Sequence, residues 1–181
     1  MELIKTQING CFELQPKIFE DERGRFVKTF NELEFKKFGL ETEFKEHYYS
    51  ISKKNVIRGM HFQLPPFDQA KLVCCLQGVV FDAVIDLRVN SPTYGKSATF
   101  ELMASKANSI YIPKGMAHGF CVLSDEAILM YNVTTVHSPE CDAGILWNSA
   151  EITWPICDPV LSVRDQSFIS LNQFVSPFII Q

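Results

Sequence analysis

The sequence predicts a mainly β chain, folded as an antiparallel sandwich or barrel with one short helix near the N-terminus. Two observations support this prediction. Short apolar runs bounded by Gly, Pro, Ser and Asp recur from residue 56 onward, which is typical of successive strands. Little helical sequence separates them, whereas a parallel sheet would need a helix between each pair of strands.

The single helix is expected between Asn31 and Gly39. Asn31 suits the N-cap position, and Gly39 suits the exit from the last turn. Leu33, Phe35 and Phe38 supply apolar side chains within those turns. The segment therefore predicts a short helix.

The expected strands are Val56–Gln63, Lys71–Leu76, Val79–Arg88, Ala98–Met103, Ser109–Pro113, Gly119–Leu123 and Ala127–Val136. The second and third flank Gln77-Gly78, which predicts a hairpin. Within the third, apolar Phe81, Ala83, Ile85 and Leu87 alternate with a set that includes Asp82 and Asp86. One face of this strand is then apolar and the other carries carboxylates, as in a barrel with a functional interior.

Composition narrows the class of protein. The 181 residues, 46% of them hydrophobic, suffice for one domain, expected over 1–181. The chain has 17 basic and 21 acidic side chains and no basic run longer than two residues, so neither nucleic acid nor an anionic membrane is expected as a partner.

The N-terminus lacks the pattern of a signal peptide. Six cysteines without any C-x-x-C spacing indicate reduced thiols, so we expect a cytoplasmic protein.

Two histidines lie in strings that suggest a site. His118 ends Pro113-Lys114-Gly115-Met116-Ala117-His118, the P-x-G-x-x-H form of the second signature motif of cupins, which are small jelly-roll barrels. His61 lies where a cupin would carry H-x-H, but Gln63 replaces the second histidine. A catalytic metal needs about three protein ligands, so we expect a cupin-type antiparallel jelly-roll barrel with no metal and no cofactor. Either histidine alone would more often be structural.

A site of histidine and carboxylates without a metal favours proton transfer. A histidine base needs a carboxylate partner, and Asp82, Asp86 and Asp165 are all candidates. Tyr131 lies in an apolar strand, where it is either a core aromatic or a proton donor. The residues alone do not separate these alternatives.

The chain resembles the dTDP-4-dehydrorhamnose 3,5-epimerases. Seven strings match in the family's order and extend over nearly the whole chain. They are Asp21–Phe26, Lys54–Gln63, Ala70–Val73, Ser91–Gly95, Ile112–Phe120, Gly144–Asn148 and Leu161–Asp165.

The resemblance implies a homodimeric enzyme that epimerises a nucleotide-linked 4-keto-6-deoxy sugar at C3 and C5. It implies that His61 is the base, with Asp165 as its carboxylate partner. Tyr131 would donate the proton on the opposite face of the sugar. Lys71 would hold the C4 oxygen as negative charge develops there, as an oxyanion hole does.

The resemblance also implies a set of substrate contacts, in which the arginines Arg23 and Arg58 bind the diphosphate. The full set is Arg23, Phe26, Lys28, Glu46, Tyr48, Arg58, Gln63, Asp82, His118, Asp142 and Arg164. Several of these depart from the family's usual residues, among them Lys28, Glu46, Tyr48 and Asp142, while the residues of the chemistry are kept. We therefore expect the reaction class to be kept, with dTDP as the nucleotide and GDP and CDP as alternatives.

Three other functions stay open at this stage. A relative within the class would invert C3 only or act on an unusual sugar. A metal-dependent cupin would need ligands that Gln63 does not supply, and a sugar-nucleotide-binding module would use the barrel without catalysis. The strand-like segment Phe12–Leu14 is expected to pair with a neighbour's sheet in the homodimer.

Overall fold

Two antiparallel sheets face each other in a jelly-roll barrel. The computed structural model describes residues 1–180, so the predicted domain end at 181 lies outside the described residues. The strands are β1 (Glu2–Lys5), β2 (Phe12–Gln15), β3 (Ile18–Asp21), β4 (Gly24–Val27), β5 (Glu46–Lys53), β6 (Ile57–Gln63), β7 (Lys71–Gln77), β8 (Val79–Asp86), β9 (Ser97–Met103), β10 (Ser109–Ile112), β11 (Met116–Val122), β12 (Glu126–Val133) and β13 (Asp142–Gly144). The helices are α1 (Glu32–Phe38), α2 (Val163–Gln166) and a 3-10 turn at Leu171–Gln173.

The strands form two large sheets and one separate two-stranded hairpin. One sheet has six strands in the order β1-β2-β10-β7-β12-β5, and the other has five in the order β13-β6-β11-β8-β9. The remaining two strands, β3 and β4, pair only with each other. The mainly β, antiparallel architecture predicted from the sequence is confirmed.

The core lies between the two sheets and is fully apolar over most of its length. Val73 and Leu129 from the six-stranded sheet meet Val84 and Phe120 from the five-stranded sheet, all of them buried. Burying such side chains is the main stabilising contribution to a fold of this kind. Buried polar side chains, among them Asp82 and His118, interrupt this core.

Helix α1 forms as predicted. The side chain of Asn31 accepts hydrogen bonds from the backbone N–H groups of Leu33 and Glu34, which satisfies two donors of the first turn. Gly39 ends the helix with a φ of 71°, a conformation that glycine adopts without strain. Phe35 is the buried residue of the helix.

The predicted hairpin at Gln77-Gly78 is wrong. β7 and β8 follow each other in the chain but belong to different sheets, so Gly78 turns a corner of the barrel. Its φ of 81° and the close approach of Glu126, whose carbonyl oxygen would lie 2.3 Å from an added Cβ, both require glycine. Two strands around a glycine look the same in sequence whether they pair or cross between sheets.

The apolar face predicted for β8 points outward and is covered by the C-terminal segment. Phe178 and Phe174 pack against the cluster that contains Ala83 and Ile85, and a bridge joins Val89 to Ile179. The opposite face, with Asp82, points into the barrel beside Val84. The alternation predicted from the sequence is confirmed, and the segment that buries the outer face also carries α2 to the site.

The N-terminal strands contradict the expectation that Phe12–Leu14 pairs with the sheet of a neighbouring chain. β2 lies between β1 and β10 and pairs with both, so Phe12–Leu14 has no free edge to offer to a neighbour.

Within residues 1–180, no helix is long and apolar enough to cross a membrane. None of the six cysteines forms a disulfide in this part of the chain, and four of them are buried.

Candidate active site

A cavity of about 350 Å³ opens at one end of the barrel, between the two sheets. Most of the predicted chemistry and binding residues line it. They are Glu46, Tyr48, Arg58, His61, Gln63, Lys71, His118, Tyr131, Asp142 and Arg164. Asp82 and Asp165 lie directly behind two of these side chains.

His61 and Asp165 form the first polar pair. Nε2 of His61 lies 2.8 Å from Oδ1 of Asp165, and the second carboxylate oxygen accepts the backbone N–H of Gly59 at 3.1 Å. Burial alone would raise the pKa of Asp165, but the hydrogen bonds from His61 and Gly59 hold it below its usual range. Because Asp165 engages Nε2, Nδ1 is the nitrogen of His61 that is left as a base.

Two local features place Asp165 at this position. The hydroxyl of Ser162 accepts the backbone N–H of Asp165 at 3.0 Å and caps α2. Phe168 then packs edge-on against the His61 ring, with centroids 5.8 Å apart. The pair therefore depends on α2, a short turn contributed from 104 residues farther along the chain.

His118 and Asp82 form a second pair, deeper in the barrel. Nε2 of His118 lies 2.7 Å from Oδ2 of Asp82, and both side chains are almost completely buried. Burial raises the pKa of Asp82, although His118 and Lys71 oppose this shift. The other carboxylate oxygen of Asp82 has no hydrogen-bond partner among the described residues.

Lys71 is a buried cation at the floor of the cavity. It begins β7, and its Nζ donates a hydrogen bond to the backbone carbonyl of His61 at 3.2 Å. Burial lowers the pKa of Lys71 to about 8, while the carboxylates of Asp142 and Asp82 act in the opposite direction. A cation held in this way can stabilise an oxyanion formed in the cavity.

Tyr131 lies on β12 of the six-stranded sheet, which faces the sheet that carries His61 and His118 and includes the strand of Lys71. Only 7% of the residue is exposed, and burial raises the pKa of its hydroxyl, which keeps it protonated. Its ring belongs to the core cluster, and it also lines the cavity. Tyr131 is thus part of the core and also lines the cavity with a protonated hydroxyl, so a core position does not conflict with the predicted role as proton donor.

The charged residues at the cavity mouth are each held by an ion pair or a hydrogen bond. Arg164 and Asp142, both predicted substrate contacts, form an ion pair at 2.8 Å. Glu46 accepts the backbone N–H of His137 at 2.7 Å. Arg58 donates to the Ser52 hydroxyl at 2.9 Å, which fixes its guanidinium beside the opening.

Gln63 lines the cavity, but its amide is already used. Nε2 donates to the carbonyls of Phe67 and Val136, and Oε1 accepts the backbone N–H of Ser138 at 2.7 Å. The side chain therefore ties together the two loops that form the rim. Gln63, which the sequence predicted as a substrate contact, thus lines the cavity with its amide bonded to the backbone of both loops.

Three predicted substrate contacts do not reach this cavity. Arg23 and Phe26 lie on the β3–β4 hairpin and line a separate surface hollow, and Lys28 follows β4. Arg23 is exposed and pairs with Asp21 of its own hairpin. The hairpin pairs only with itself, so it projects from the barrel and carries these side chains away from the site.

Asp86, one of the three candidate partners for a histidine, has a structural role instead. It accepts hydrogen bonds from Arg88, Ser91 and Thr93, at 2.6–3.0 Å. Burial raises its pKa, but these donors lower it more. Asp86 therefore anchors the loop after β8.

Six residues that line the cavity were not predicted from the sequence, namely Ser50, Phe62, Gln69, Phe120, Val133 and His137. Ser50 and His137 are two of the polar ones. The buried Ser50 hydroxyl lies beside the Tyr131 hydroxyl and opposes the rise in the pKa of that tyrosine. His137 lies at the mouth. Both are ordinary strand or loop residues in sequence, and only the closure of the barrel shows their position. Within the same residues, no group of three His, Cys, Asp or Glu side chains is arranged to hold a metal ion.

The family model described as dTDP-4-dehydrorhamnose 3,5-epimerase matches residues 5–173. A dTDP-4-dehydrorhamnose 3,5-epimerase from Shigella flexneri is 43% identical over 181 residues, which cover 97% of this chain and 100% of the relative. This chain belongs to the dTDP-4-dehydrorhamnose 3,5-epimerase family. It is an isomerase that epimerises nucleotide-linked 4-keto-6-deoxy sugars.

Two further members of the family bear on the site. A dTDP-6-deoxy-D-glucose-3,5-epimerase from Legionella pneumophila, solved in complex with dTDP-4-keto-L-rhamnose, has a TM-score of 0.94 at 35% identity and covers 99% of both chains. A dTDP-4-dehydrorhamnose 3-epimerase from Streptomyces niveus is 37% identical over 96% of this chain and 85% of its own. The family thus includes enzymes named for one and for two positions of inversion.

Proposed function

We propose that this epimerase inverts C3 and C5 of a dTDP-linked 4-keto-6-deoxy sugar by proton transfer between His61 and Tyr131. One observation supports this most strongly: a histidine tied to a carboxylate, a protonated tyrosine and a buried lysine line the same cavity. These are the base, the acid and the oxyanion stabiliser that the reaction requires.

The first half of each inversion is proton removal. The C4 ketone acidifies the C–H bonds at C3 and C5, because the electron pair left by the proton spreads onto the C4 oxygen. Nδ1 of His61 takes the proton, and Asp165 stabilises the imidazolium that forms. The ammonium of Lys71 stabilises the enolate oxygen.

The second half delivers a proton to the other face. The enolate electron pair returns to carbon and forms a C–H bond with the hydroxyl proton of Tyr131, which inverts the centre and regenerates the ketone. The Tyr131 phenolate recovers a proton from solvent, and His61 releases its proton there. Burial raises the pKa of Tyr131, so reprotonation of its phenolate is strongly favourable.

The substrate contacts are assigned to the cavity mouth. We assign the diphosphate to Arg58, and the sugar to the walls that contain His118 and Asp82. Glu46, Tyr48, Asp142 and Arg164 surround the nucleotide side of the opening. We propose dTDP as the nucleotide, and dissociation constants for dTDP, GDP, CDP and UDP test this choice.

We infer that the β3–β4 hairpin acts on a neighbouring copy in a homodimer. Phe19 and Phe26 on this hairpin are about half exposed, and neither lines its own chain's cavity. An exposed aromatic hairpin with an arginine at its turn suits the mouth of a second cavity. Arg23, Phe26 and Lys28 would then contact the substrate of the neighbour. Light scattering at micromolar concentration tests the dimer, and a monomer would contradict it.

Incubation with dTDP-4-keto-6-deoxyglucose in D₂O tests the reaction itself. The proposal expects deuterium at both C3 and C5 of an inverted product. Label at C3 alone would instead identify a 3-epimerase, the activity for which the Streptomyces niveus relative is named. Absence of label with intact binding would indicate a non-catalytic binding protein.

The free cysteines bear on the cellular compartment of the protein. Six cysteines occur without a disulfide in the described chain, and Cys157 is exposed. Reduced thiols of this number persist in a reducing environment. We therefore propose the cytoplasm, which mass spectrometry of alkylated thiols in fractionated cells would test.

A further inference from the structure

The ring of Tyr131 is held by aromatic neighbours on two sides. Tyr48 lies directly opposite it in the β12–β5 pairing, and the two rings stack with centroids 4.8 Å apart and an interplanar angle of 15°. The His118 ring meets Tyr131 edge-on at 6.1 Å. The plane of the proton donor is therefore set by a stack on one side and an edge contact on another.

The Tyr48 ring has a geometry suited to this task. β5 is an edge strand, and alternation along it sends Tyr48 and Ser50 toward the cavity, while Tyr49 points to the opposite face. Burial raises the pKa of Tyr48 to about 12, with added effects from Glu46 and Asp142, so Tyr48 is neutral beside the donor. A neutral flat ring is a steric support for Tyr131 that does not exchange protons with it.

We propose that Tyr48 is a positioning residue that fixes the ring of Tyr131 for protonation of the enolate. This inference rests on the proposed function, since it assigns Tyr131 as the donor. A donor must point at one face of a carbon atom, and a displacement of about 1 Å can cost ~10²-fold in rate. Tyr48 therefore acts on the delivery of the proton and not on its removal.

The competing role for Tyr48 is a stacking surface for the nucleotide base, as the sequence suggested. Tyr131 already covers one face of the Tyr48 ring, and 40% of the residue remains exposed. The two roles predict different losses. A positioning residue affects the ratio of inversion to proton exchange, whereas a base contact affects the affinity for the nucleotide.

The experiment compares Tyr48→Leu, Tyr48→Phe and the control Tyr49→Leu. Tyr49 is the neighbouring tyrosine on the same strand, and 66% of it is exposed on the other face. Each variant is incubated with the sugar nucleotide in D₂O, and deuterium in recovered substrate is compared with the yield of inverted product. The Kd for dTDP is measured in parallel.

We expect Tyr48→Leu to lower the ratio of inversion to exchange about tenfold or more. The Kd for dTDP should stay within about twofold of wild type, and Tyr48→Phe should restore the ratio because it keeps the ring. Tyr49→Leu should match wild type.

An unchanged ratio in Tyr48→Leu would overturn the inference, whether or not the Kd for dTDP rises. A tenfold weaker Kd with an unchanged ratio would identify Tyr48 as a nucleotide contact. Failure of the proposed function is distinguishable from both results, because wild type itself would then show no exchange.

Discussion

His61 and His118 lie opposite each other on the adjacent strands β6 and β11, and each contacts an aspartate through Nε2. The two pairs have nearly the same length, 2.8 and 2.7 Å. They differ in their surroundings. The His61 side chain is 32% exposed and meets an aspartate from the C-terminal turn, while that of His118 is 3% exposed and meets one from the neighbouring strand.

The difference shows that the environment of the aspartate determines whether a histidine–aspartate pair can accept a proton. Asp165 receives the Gly59 N–H as well as His61, and these donors favour its ionised form. Asp82 is buried with one oxygen unpaired, and burial favours its protonated form. An ionised partner can stabilise an imidazolium. The first pair is therefore equipped to accept a proton from the substrate, and the second is equipped to shape the wall.

The largest effect is expected from His61→Ala. Removing a general base typically costs ~10²–10⁴-fold in rate, so product formation should fall by that factor. NMR detection of the inverted sugar measures it, and a thermal melt equal to that of wild type serves as the control for folding. Near-normal turnover would show that another group removes the proton.

Tyr131→Phe should separate the two halves of the reaction. Without the hydroxyl, inversion should fall by about 10²-fold, while His61 continues to remove a proton and return deuterium to the same face. Mass spectrometry of the recovered substrate measures this exchange. An equal loss of exchange and inversion would contradict the separation of base and acid between the two sheets.

A smaller effect is expected from pH. The pKa of Lys71 lies at about 8, and the cation is the form that stabilises the enolate. The rate should therefore fall as the pH rises through this value, approaching about tenfold per unit well above it. The alkaline limb of kcat/KM between pH 6 and 9.5 measures this, and Lys71→Arg should move the limb upward. A flat profile to pH 9.5 would remove Lys71 from this role.

The smallest effects concern stability, where the two aspartates should respond to pH in opposite directions. The pKa of Asp165 is lowered by folding, so its stabilising contribution is present above the unfolded pKa of about 3.9 and is lost as the pH falls through the folded value. The pKa of Asp82 is raised, so its contribution is present below about pH 3.9 and declines as the pH rises through the folded value.

Asp165→Asn should therefore lower Tm at pH 7 by about 2–4 °C, which corresponds to ~1 kcal/mol in a chain of this size. Asp82→Asn keeps an acceptor for His118 and should not lower it. Melting curves between pH 3.5 and 7 compare the two variants, and parallel curves would contradict the opposite shifts.

Much of this site could be predicted from sequence, because its motifs are local. The strings around His61 and His118 were recognisable, Tyr131 and Asp165 were candidates among alternatives, and the resemblance added Lys71 and a role for each residue. The position of Gln63 was also evident, but its three backbone bonds depend on two loops that meet only in the folded barrel. The spacing of residues in the sequence carries no information about such contacts between distant loops.

The errors have the same physical origin. A glycine between two strands fits a hairpin or a corner between sheets equally well, and Gly78 proved to be a corner. Ser50 is a small polar residue in a strand, with no local signal that its hydroxyl faces a cavity. The string Asp21–Phe26 was recognisable as a family match, but its place on a hairpin that does not line the cavity of its own chain was not.

The most direct test of the comparison is deuterium exchange at C3 by His118→Asn beside wild type and His61→Asn in D₂O. If only the His61–Asp165 pair removes the proton, His118→Asn should retain exchange within about tenfold of wild type, while His61→Asn loses ~10²-fold or more. Equal losses in the two variants would contradict the account, because both histidines would then take part in proton removal.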